Sequence, residues 1–281
     1  MPELPEVEVI KRDLEKEIVG RRVKDVEVRP GSNAMKIIRR HGRRKEFEDL
    51  LVGAKVEEIQ RAGMYLGLLL EDDKVLAVNL GPNGLLLKTS ASDTLASHTH
   101  VVIGFTIGGQ LRIVDPKMSG EVFVATKEEW EKLRAEETSI DALGDQPFTW
   151  QHFSALLEGG NKSMKDLLMD ERFFCGLGNV YSDEVLFAAG IRPDRSSKSL
   201  SSQDVRRLYR ALMETMQDAV KARGTSWGDT DFKDLQGDPG HYQLELKVYE
   251  REGEACRRCR NFIAKEEFGD DHTYFCPQCQ S

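Results

Sequence analysis

The sequence contains no apolar run of about 18 residues, which is the length that a membrane-spanning helix needs. No charged-then-apolar leader precedes the first predicted helix. We therefore expect a cytoplasmic protein with no membrane partner. The chain also has no excess of basic residues, since 40 Lys and Arg are outnumbered by 48 Asp and Glu, a formal net charge of −8. Proteins that bind nucleic acid usually carry a basic patch, so the overall charge gives that class no support.

Positive charge is nevertheless concentrated in residues 36–45, a segment without a single acidic residue. Its basic residues are Lys36, Arg39, Arg40, Arg43, Arg44 and Lys45. One interpretation is a local contact surface for an anionic partner. The other is a basic loop that is simply solvated.

The first half of the chain predicts one helix followed by a β-rich region. Val7, Ile10, Leu14 and Ile18 recur at helical spacing, and Gly20 ends the helix. Short runs rich in β-branched residues then alternate with turn residues, a pattern typical of a sandwich or barrel. The predicted strands are 22–29, 54–61, 64–71, 74–80, 84–88, 100–107, 110–115 and 120–125, with hairpin connections at Asp72-Asp73 and Gly108-Gly109.

The second half of the chain is predominantly helical. A charged helical stretch begins at 127–137, and residues 138–148, with Gly144 and Pro147, indicate a linker. The predicted helices that follow are 149–158, 163–170, 179–189 and 201–222. Residues 223–243 are rich in Gly and Asp and lack periodicity, so we expect a loop. With 281 residues, the chain can form two domains and a small appendage.

The N-terminal octapeptide Met1–Glu8 carries a candidate nucleophile. If Met1 is removed, Pro2 offers a free secondary amine, which can condense with an aldehyde carbon to give a cationic iminium. The carboxylates of Glu3 and Glu6 lie within one helical turn and can take and return protons. The alternative is an ordinary helix start, because Pro and Glu are both favoured in a first turn.

Four of the five cysteines form two CxxC pairs near the C-terminus, Cys256 with Cys259 and Cys276 with Cys279. Two such pairs at this spacing can hold one tetrahedral zinc ion. The alternative is a pair of disulfides, which the absence of a secretion signal argues against. Four thiolates leave no open position for chemistry, so we predict one structural zinc ion.

Two glycines precede a predicted helix in the run Phe174–Glu184. Gly176 and Gly178 let the backbone approach a partner closely, and the free N–H groups where the helix begins, at Asn179, can bind a phosphate. A tight turn without any ligand is the alternative.

The octapeptide, the run Phe174–Glu184 and the cysteine pairs occur in the order found in the formamidopyrimidine-DNA glycosylase/endonuclease VIII family, which this sequence resembles over nearly its whole length. The resemblance implies an α+β fold: an N-terminal helix and a two-layer β-sandwich, then a helix–two-turn–helix domain with a C-terminal zinc-finger β-hairpin. The implied divisions are a catalytic helix and sandwich at 1–137, a linker at 138–148, a helical domain at 149–243 and a zinc finger at 244–281.

The resemblance also implies a DNA repair glycosylase with abasic-site lyase activity, which acts as a monomer on damaged or abasic DNA near the nucleoid and excises oxidised or ring-opened bases. Pro2 would attack the sugar C1′ with Glu3 and Glu6 in support. The loop at 223–243 would cover the extruded base. The implied DNA-site residues are Lys165, Asn179, Glu184, Lys117 and Met118, of which Met118 would be an apolar wedge displaced by one position.

Several positions depart from the family's pattern. Met64 stands where the family usually has a lysine that contacts phosphate, and Asp271 stands where an arginine grips the backbone. His272 could partly compensate when protonated, or be an ordinary surface histidine. The two wedge turns are also altered, to Gly81-Pro82-Asn83-Gly84 and Lys117-Met118-Ser119. These changes leave a second hypothesis open, a non-catalytic relative that binds damaged or structured nucleic acid or a protein partner.

Overall fold

A computed structural model describes residues 2–30, 33–145, 148–158, 162–227 and 232–281. The chain forms two compact units. The first comprises Met1–Glu137 with Arg223–His241, and the second comprises Thr138–Ala222 with Tyr242–Ser281. Met1 and Pro147, both used in the sequence analysis, lie outside the described residues.

The first unit begins with helix α1, Leu4–Glu17. Its apolar face is buried, and Ile10 and Leu14 join the main core. The predicted helix is thus confirmed, with its end a few residues before Gly20. Most of the first three turns are buried, including the charged residues Glu6, Glu8 and Asp13. Each of these carboxylates therefore needs a partner inside the unit.

Eight strands follow, and each corresponds to a predicted run. They are β1 Val23–Val28, β2 Val56–Ala62, β3 Tyr65–Leu70, β4 Lys74–Asn79, β5 Leu85–Thr89, β6 Thr99–Phe105, β7 Gln110–Val114 and β8 Glu121–Thr126. They form two antiparallel sheets, in the orders β1-β6-β7-β5 and β2-β3-β4-β8. The core cluster combines residues of both sheets, such as Leu68 and Ile103, with those of α1. The predicted sandwich is therefore present.

The predicted hairpin turns are also present. Asp72 and Asp73 both have positive φ angles, 68° and 53°, between β3 and β4. Two such residues form the turn whose twist matches that of antiparallel strands. Gly108 and Gly109 lie between β6 and β7, again with positive φ.

Two further helices complete the N-terminal part. Helix α2, Arg44–Leu51, was not predicted, and it begins inside the basic segment, for which a solvated loop was one of two interpretations. It packs through Phe47 and Leu51, which are fully buried. Helix α3, Lys127–Glu136, begins with a capping box in which Thr126 and Glu129 exchange hydrogen bonds.

Residues 232–241 pack with the first unit although the chain reaches them only after the helices of the second. Phe232 and Leu235 are buried in the sandwich core. The backbone N–H of Lys88 in β5 donates to the carbonyl of Leu235 at 2.7 Å. The predicted domain limits give each domain one continuous stretch of the chain, and these limits stay a prediction.

The second unit contains four α-helices and a hairpin among its described residues. The helices are α4 Trp150–Glu158, α5 Met164–Leu168, α6 Asn179–Ala189 and α7 Ser202–Lys221, and the hairpin strands are β9 Ala264–Phe268 and β10 Asp271–Phe275. Gly190 ends α6 in the left-handed region, at φ 71°. The expected helical domain with a C-terminal hairpin is confirmed. Within the described residues, no helix has both the length and the apolar character to cross a membrane.

We predict that Gly67→Ala destabilises the first unit. Gly67 lies in the middle of β3, and a Cβ there would sit 2.4 Å from Cζ2 of Trp130, whose ring is fully buried. Overpacking of this kind costs about 1–3 kcal/mol, to be measured as the unfolding free energy in urea. Gly42→Ala is the control, because a Cβ at that position would lie 3.6 Å from Glu46 Oε2, an ordinary contact. Equal stability of the two variants would contradict the prediction.

Candidate active site and metal centre

The start of α1 is organised by the carboxylate of Glu6. Its Oε2 accepts the backbone N–H of Glu3 at 2.7 Å, and its Oε1 accepts the backbone N–H of Thr225 at 2.7 Å. Pro2, Glu3 and Glu6 are all buried. The structure thus brings the three predicted catalytic residues together and fixes the Pro2–Glu3 end of the helix to the segment that begins at Arg223.

Arg223 makes the second attachment of that segment to α1. Its Nε donates to Asp234 at 2.9 Å, and one terminal nitrogen donates to Asp13 at 3.2 Å. Both carboxylates are buried, and hydrogen bonding to Asp13, opposed by burial and assisted by Asp234, holds the pKa of Arg223 well above its usual range. This network was not predicted from the sequence, because its partners are far apart in the chain and carry no periodic signal.

A buried ion pair connects α1 to the β2–β3 hairpin. Arg61 Nε lies 3.1 Å from Glu8 Oε2, with both side chains nearly inaccessible to solvent. Arg61 also donates to the carbonyl of Gly63 at the hairpin tip, at 3.1 Å. The next residue, Met64, is partly buried against the sandwich core. The tip therefore offers an apolar side chain and no charge of its own.

The turn that carries Lys117 and Met118 is fixed by Asp115. Its Oδ1 accepts the backbone N–H groups of Lys117 and Met118 at 3.1 and 2.9 Å, and its Oδ2 accepts that of Gly120 at 2.8 Å. Lys117 is exposed, whereas Met118 is partly buried and packs on the core. The turn is thus well ordered, and the predicted wedge role of Met118 stays a prediction.

Lys165 and Asn179 lie together in the second unit. The Lys165 ammonium is fully buried, 2.7 Å from Oδ1 of Asp183 and 3.1 Å from the carbonyl oxygen of Asn179. Asn179 begins α6, and within the described residues its buried Oδ1 has no hydrogen-bond partner. This places a cation and an amide side chain at one helix N-terminus, where the helix dipole also favours an anion.

Asp183 joins this cluster to the hairpin. Its carboxylate accepts the hydroxyl of Thr273 at 2.6 Å and the backbone N–H of Tyr274 at 2.9 Å, both in β10. Burial raises the pKa of Asp183, while Lys165 opposes that rise. The ion pair therefore orients Lys165 and β10 at the same time.

Glu184, the neighbouring acid, is occupied inside the unit. Its carboxylate accepts the backbone N–H groups of Lys247, Val248 and Tyr249, each at 2.9–3.0 Å. Burial raises its pKa. This geometry favours a role in holding the chain that enters the zinc finger, and its predicted part in the DNA site stays a prediction.

The four C-terminal cysteines form one compact cluster. All four Sγ atoms lie within 4.8 Å of one another, with Cys256 and Cys279 at 3.8 Å and Cys259 and Cys276 at 3.4 Å. Tetrahedral Zn–S bonds of about 2.3 Å place sulfurs roughly 3.8 Å apart. The cysteines are not joined as disulfides. The donor set therefore fits one structural zinc ion, as predicted.

Family models match three consecutive parts of the chain. The N-terminal domain of formamidopyrimidine-DNA glycosylase matches residues 1–122, and its helix–two-turn–helix domain matches 139–231. A third family model, described as a zinc finger found in FPG and IleRS, matches residues 253–281. FPG is this glycosylase.

Full-length relatives and solved structures agree with these matches. The chain is 35% identical to the formamidopyrimidine-DNA glycosylase of Pelotomaculum thermopropionicum, covering 100% of this chain and 99% of that protein. It is 36% identical to that of Geobacillus kaustophilus, covering 100% of both. The crystal structure of Lactococcus lactis Fpg in complex with DNA containing an abasic site superposes with a TM-score of 0.87, at 28% identity and 100% coverage of both chains. The MutM (Fpg) protein from Thermus thermophilus gives a TM-score of 0.84 at 30% identity, over 99% of this chain and 98% of that one.

We predict that Cys276→Ser abolishes tight zinc binding, because three thiolates and a hydroxyl cannot complete the tetrahedral set. Wild-type protein should hold one zinc per chain by elemental analysis. Amides of the hairpin should exchange with solvent faster in the variant, by hydrogen-exchange mass spectrometry. Cys175→Ala, at the fifth cysteine, is the control and should keep its zinc. One zinc per chain in Cys276→Ser would refute the assignment.

Proposed function

The chain belongs to the formamidopyrimidine-DNA glycosylase family, and from this premise we propose that the N-terminal end of α1 is its catalytic centre. The protein is a DNA repair glycosylase with abasic-site lyase activity. We propose that it excises oxidised or ring-opened bases. The observation that carries the site assignment is the Glu6 carboxylate, which fixes the backbone of Glu3 directly beside Pro2.

The proposed reaction begins when Met1 has been removed and the Pro2 amine is neutral. The amine attacks C1′ of the damaged nucleotide, a C–N bond forms, and the bond from C1′ to the base breaks as the base leaves with a proton. Opening of the sugar ring then gives the iminium, and O4′ takes a proton that Glu3 would supply. The cationic nitrogen draws electrons, so C2′ loses a proton and the 3′ phosphate leaves. Loss of a proton from C4′ then expels the 5′ phosphate, and water hydrolyses the iminium to free the Pro2 amine.

Glu6 acts in this scheme as a positioning residue. One of its oxygens holds Glu3 and the other holds Thr225. Any nucleotide bound at Pro2 therefore lies within reach of the segment that starts at Arg223. This supports the proposal that residues 223–243 cover the extruded base, although residues 228–231 lie outside the described part.

The second unit supplies the proposed grip on the strand. Lys165 and Asn179 would hold a phosphate at the start of α6, with the orientation of Lys165 set by Asp183. Lys117 and Met118 would contact the DNA from the first unit. The zinc ion would hold the hairpin in shape. We further propose that the protein works as a monomer in the cytoplasm, at the nucleoid where its substrate lies.

We expect borohydride to trap the processed protein on a duplex with one abasic site, since reduction makes the iminium permanent. Pro2→Gly should lower the yield of adduct about tenfold or more, because a primary amine replaces the secondary one. Pro30→Gly, at an exposed proline elsewhere in the first unit, is the matched control and should trap normally. Mass spectrometry should show Met1 absent. Full trapping by Pro2→Gly, or none by wild type lacking Met1, would overturn the assignment.

We expect Asp271→Arg to strengthen duplex binding and to steepen the salt dependence by about one unit, because a repulsive charge becomes a phosphate contact. Asp271 is exposed at the start of β10. The control is Asp270→Arg, which makes the same change in net charge at the adjacent turn residue. The measurement is duplex affinity by fluorescence anisotropy across a salt series. Equal effects of the two substitutions would show that the hairpin strand does not face DNA.

A further inference from the structure

The basic segment 36–45 is attached along strand β8. The backbone N–H of Val122 donates to the carbonyl of Ile37 at 2.9 Å, and that of Val124 donates to Nε2 of His41 at 3.0 Å. Burial lowers the pKa of His41, which favours the neutral ring that can accept this bond. The segment between these two contacts is therefore held in place against the sheet, in contrast to the solvated loop that its composition allows.

A buried glutamate at the start of β8 gathers three side chains. Glu121 accepts Nε of Arg39 at 2.9 Å, two nitrogens of Arg40 at 3.1 and 2.9 Å, and the hydroxyl of Tyr65 at 3.0 Å. One carboxylate thus faces two guanidinium groups, and the cluster has an excess of one positive charge.

The two arginines are used differently. Arg40 binds Glu121 with two nitrogens, and its guanidinium carbon lies 3.6 Å from the centre of the Phe123 ring. Two of the three guanidinium nitrogens of Arg40 are thus used by Glu121, although its side chain is 47% exposed. Arg39 donates to Glu121 only through Nε, and its side chain is 57% exposed. Within the described residues its two terminal nitrogens have no partner, so an oriented fork of donors faces solvent. Such a fork matches the oxygens of a phosphate.

The Arg39 guanidinium lies near two elements that the family resemblance relates to DNA binding. Glu121 directly follows the turn that Asp115 fixes, which carries Lys117 and Met118. Tyr65 directly follows the tip of the β2–β3 hairpin, where Met64 offers no charge. The cluster thus joins two elements at the same end of the second sheet, and Arg39 supplies a cation beside a tip that has none.

We propose that Arg39 is a DNA-phosphate contact of the first unit and that Glu121 is the residue that positions it. This inference rests on the proposed function, because the phosphate belongs to the strand that carries the damaged nucleotide. It identifies a contact drawn from the basic segment that is separate from Lys165 and Asn179 in the second unit.

The test compares two arginines of the same kind. Arg39→Gln should weaken binding to abasic-site duplex and lower the slope of log affinity against log salt by about one unit. Arg39→Lys should keep most of the slope, since the charge remains. The matched control is Arg12→Gln. Arg12 is 52% exposed and donates one Nε hydrogen bond at 2.8 Å to Glu8, a glutamate as buried as Glu121. It should bind as wild type does.

A second variant tests whether the charge at the hairpin is what matters. Met64→Lys in the Arg39→Gln background should restore the slope of log affinity against log salt. The same substitution in the wild-type protein should increase that slope by less, because coupled sites are not additive. Equal slopes for wild type, Arg39→Gln and Arg12→Gln would overturn the inference. Failure of wild type to bind or be trapped on the same duplex would instead overturn the proposed function, so the two failures are distinguishable.

Discussion

The carboxylate of Glu6 is the constraint on which the arrangement at the N-terminal end of α1 depends. It is buried and accepts backbone N–H groups from Glu3 and Thr225, although Glu6 and Thr225 are 219 positions apart in the chain. The positive end of the helix dipole favours the negative charge at this place. The close approach also requires Gly224, since a Cβ there would lie 2.8 Å from Glu6 Oε1 and its φ is +79°. Pro2, Glu3 and the segment that begins at Arg223 therefore share one anchor.

The net negative charge of the chain is a poor guide to its surface, because several of its carboxylates are buried. Asp115 and Glu184 are buried and accept backbone N–H groups, so their charges stabilise turns and chain entries. Asp13 and Asp234 are buried around Arg223. The net charge of −8 thus includes carboxylates that a ligand at the surface does not meet. Local charge at the elements proposed to face DNA, such as Arg39, is the quantity that would bear on binding.

Local patterns predicted the elements well, and distant pairings not at all. Short runs rich in β-branched residues, separated by turn residues, predicted all eight strands of the sandwich, including β6, which is buried along its whole length. Cysteine spacing predicted the sulfur cluster because the two cysteines of each CxxC pair are close together in the chain. Helix α2 was missed because only Phe47 and Leu51 mark its buried side. The contacts of Arg223 with Asp13 and of Lys165 with Asp183 form only when the folded chain brings the partners together, so no periodicity announces them.

The first unit is discontinuous in the chain, and this has a consequence for its synthesis on the ribosome. A nascent chain that ends at residue 222 has made both sheets but lacks Thr225, Phe232 and Leu235, which complete the anchor and the core. Until those residues emerge, the carboxylates of Glu6 and Asp13 lack these late partners and part of the core is open. Domains generally fold in the order of their synthesis. Here the first unit is completed only after the helices of the second have been synthesised, so the end of α1 that carries Pro2 is anchored late in translation.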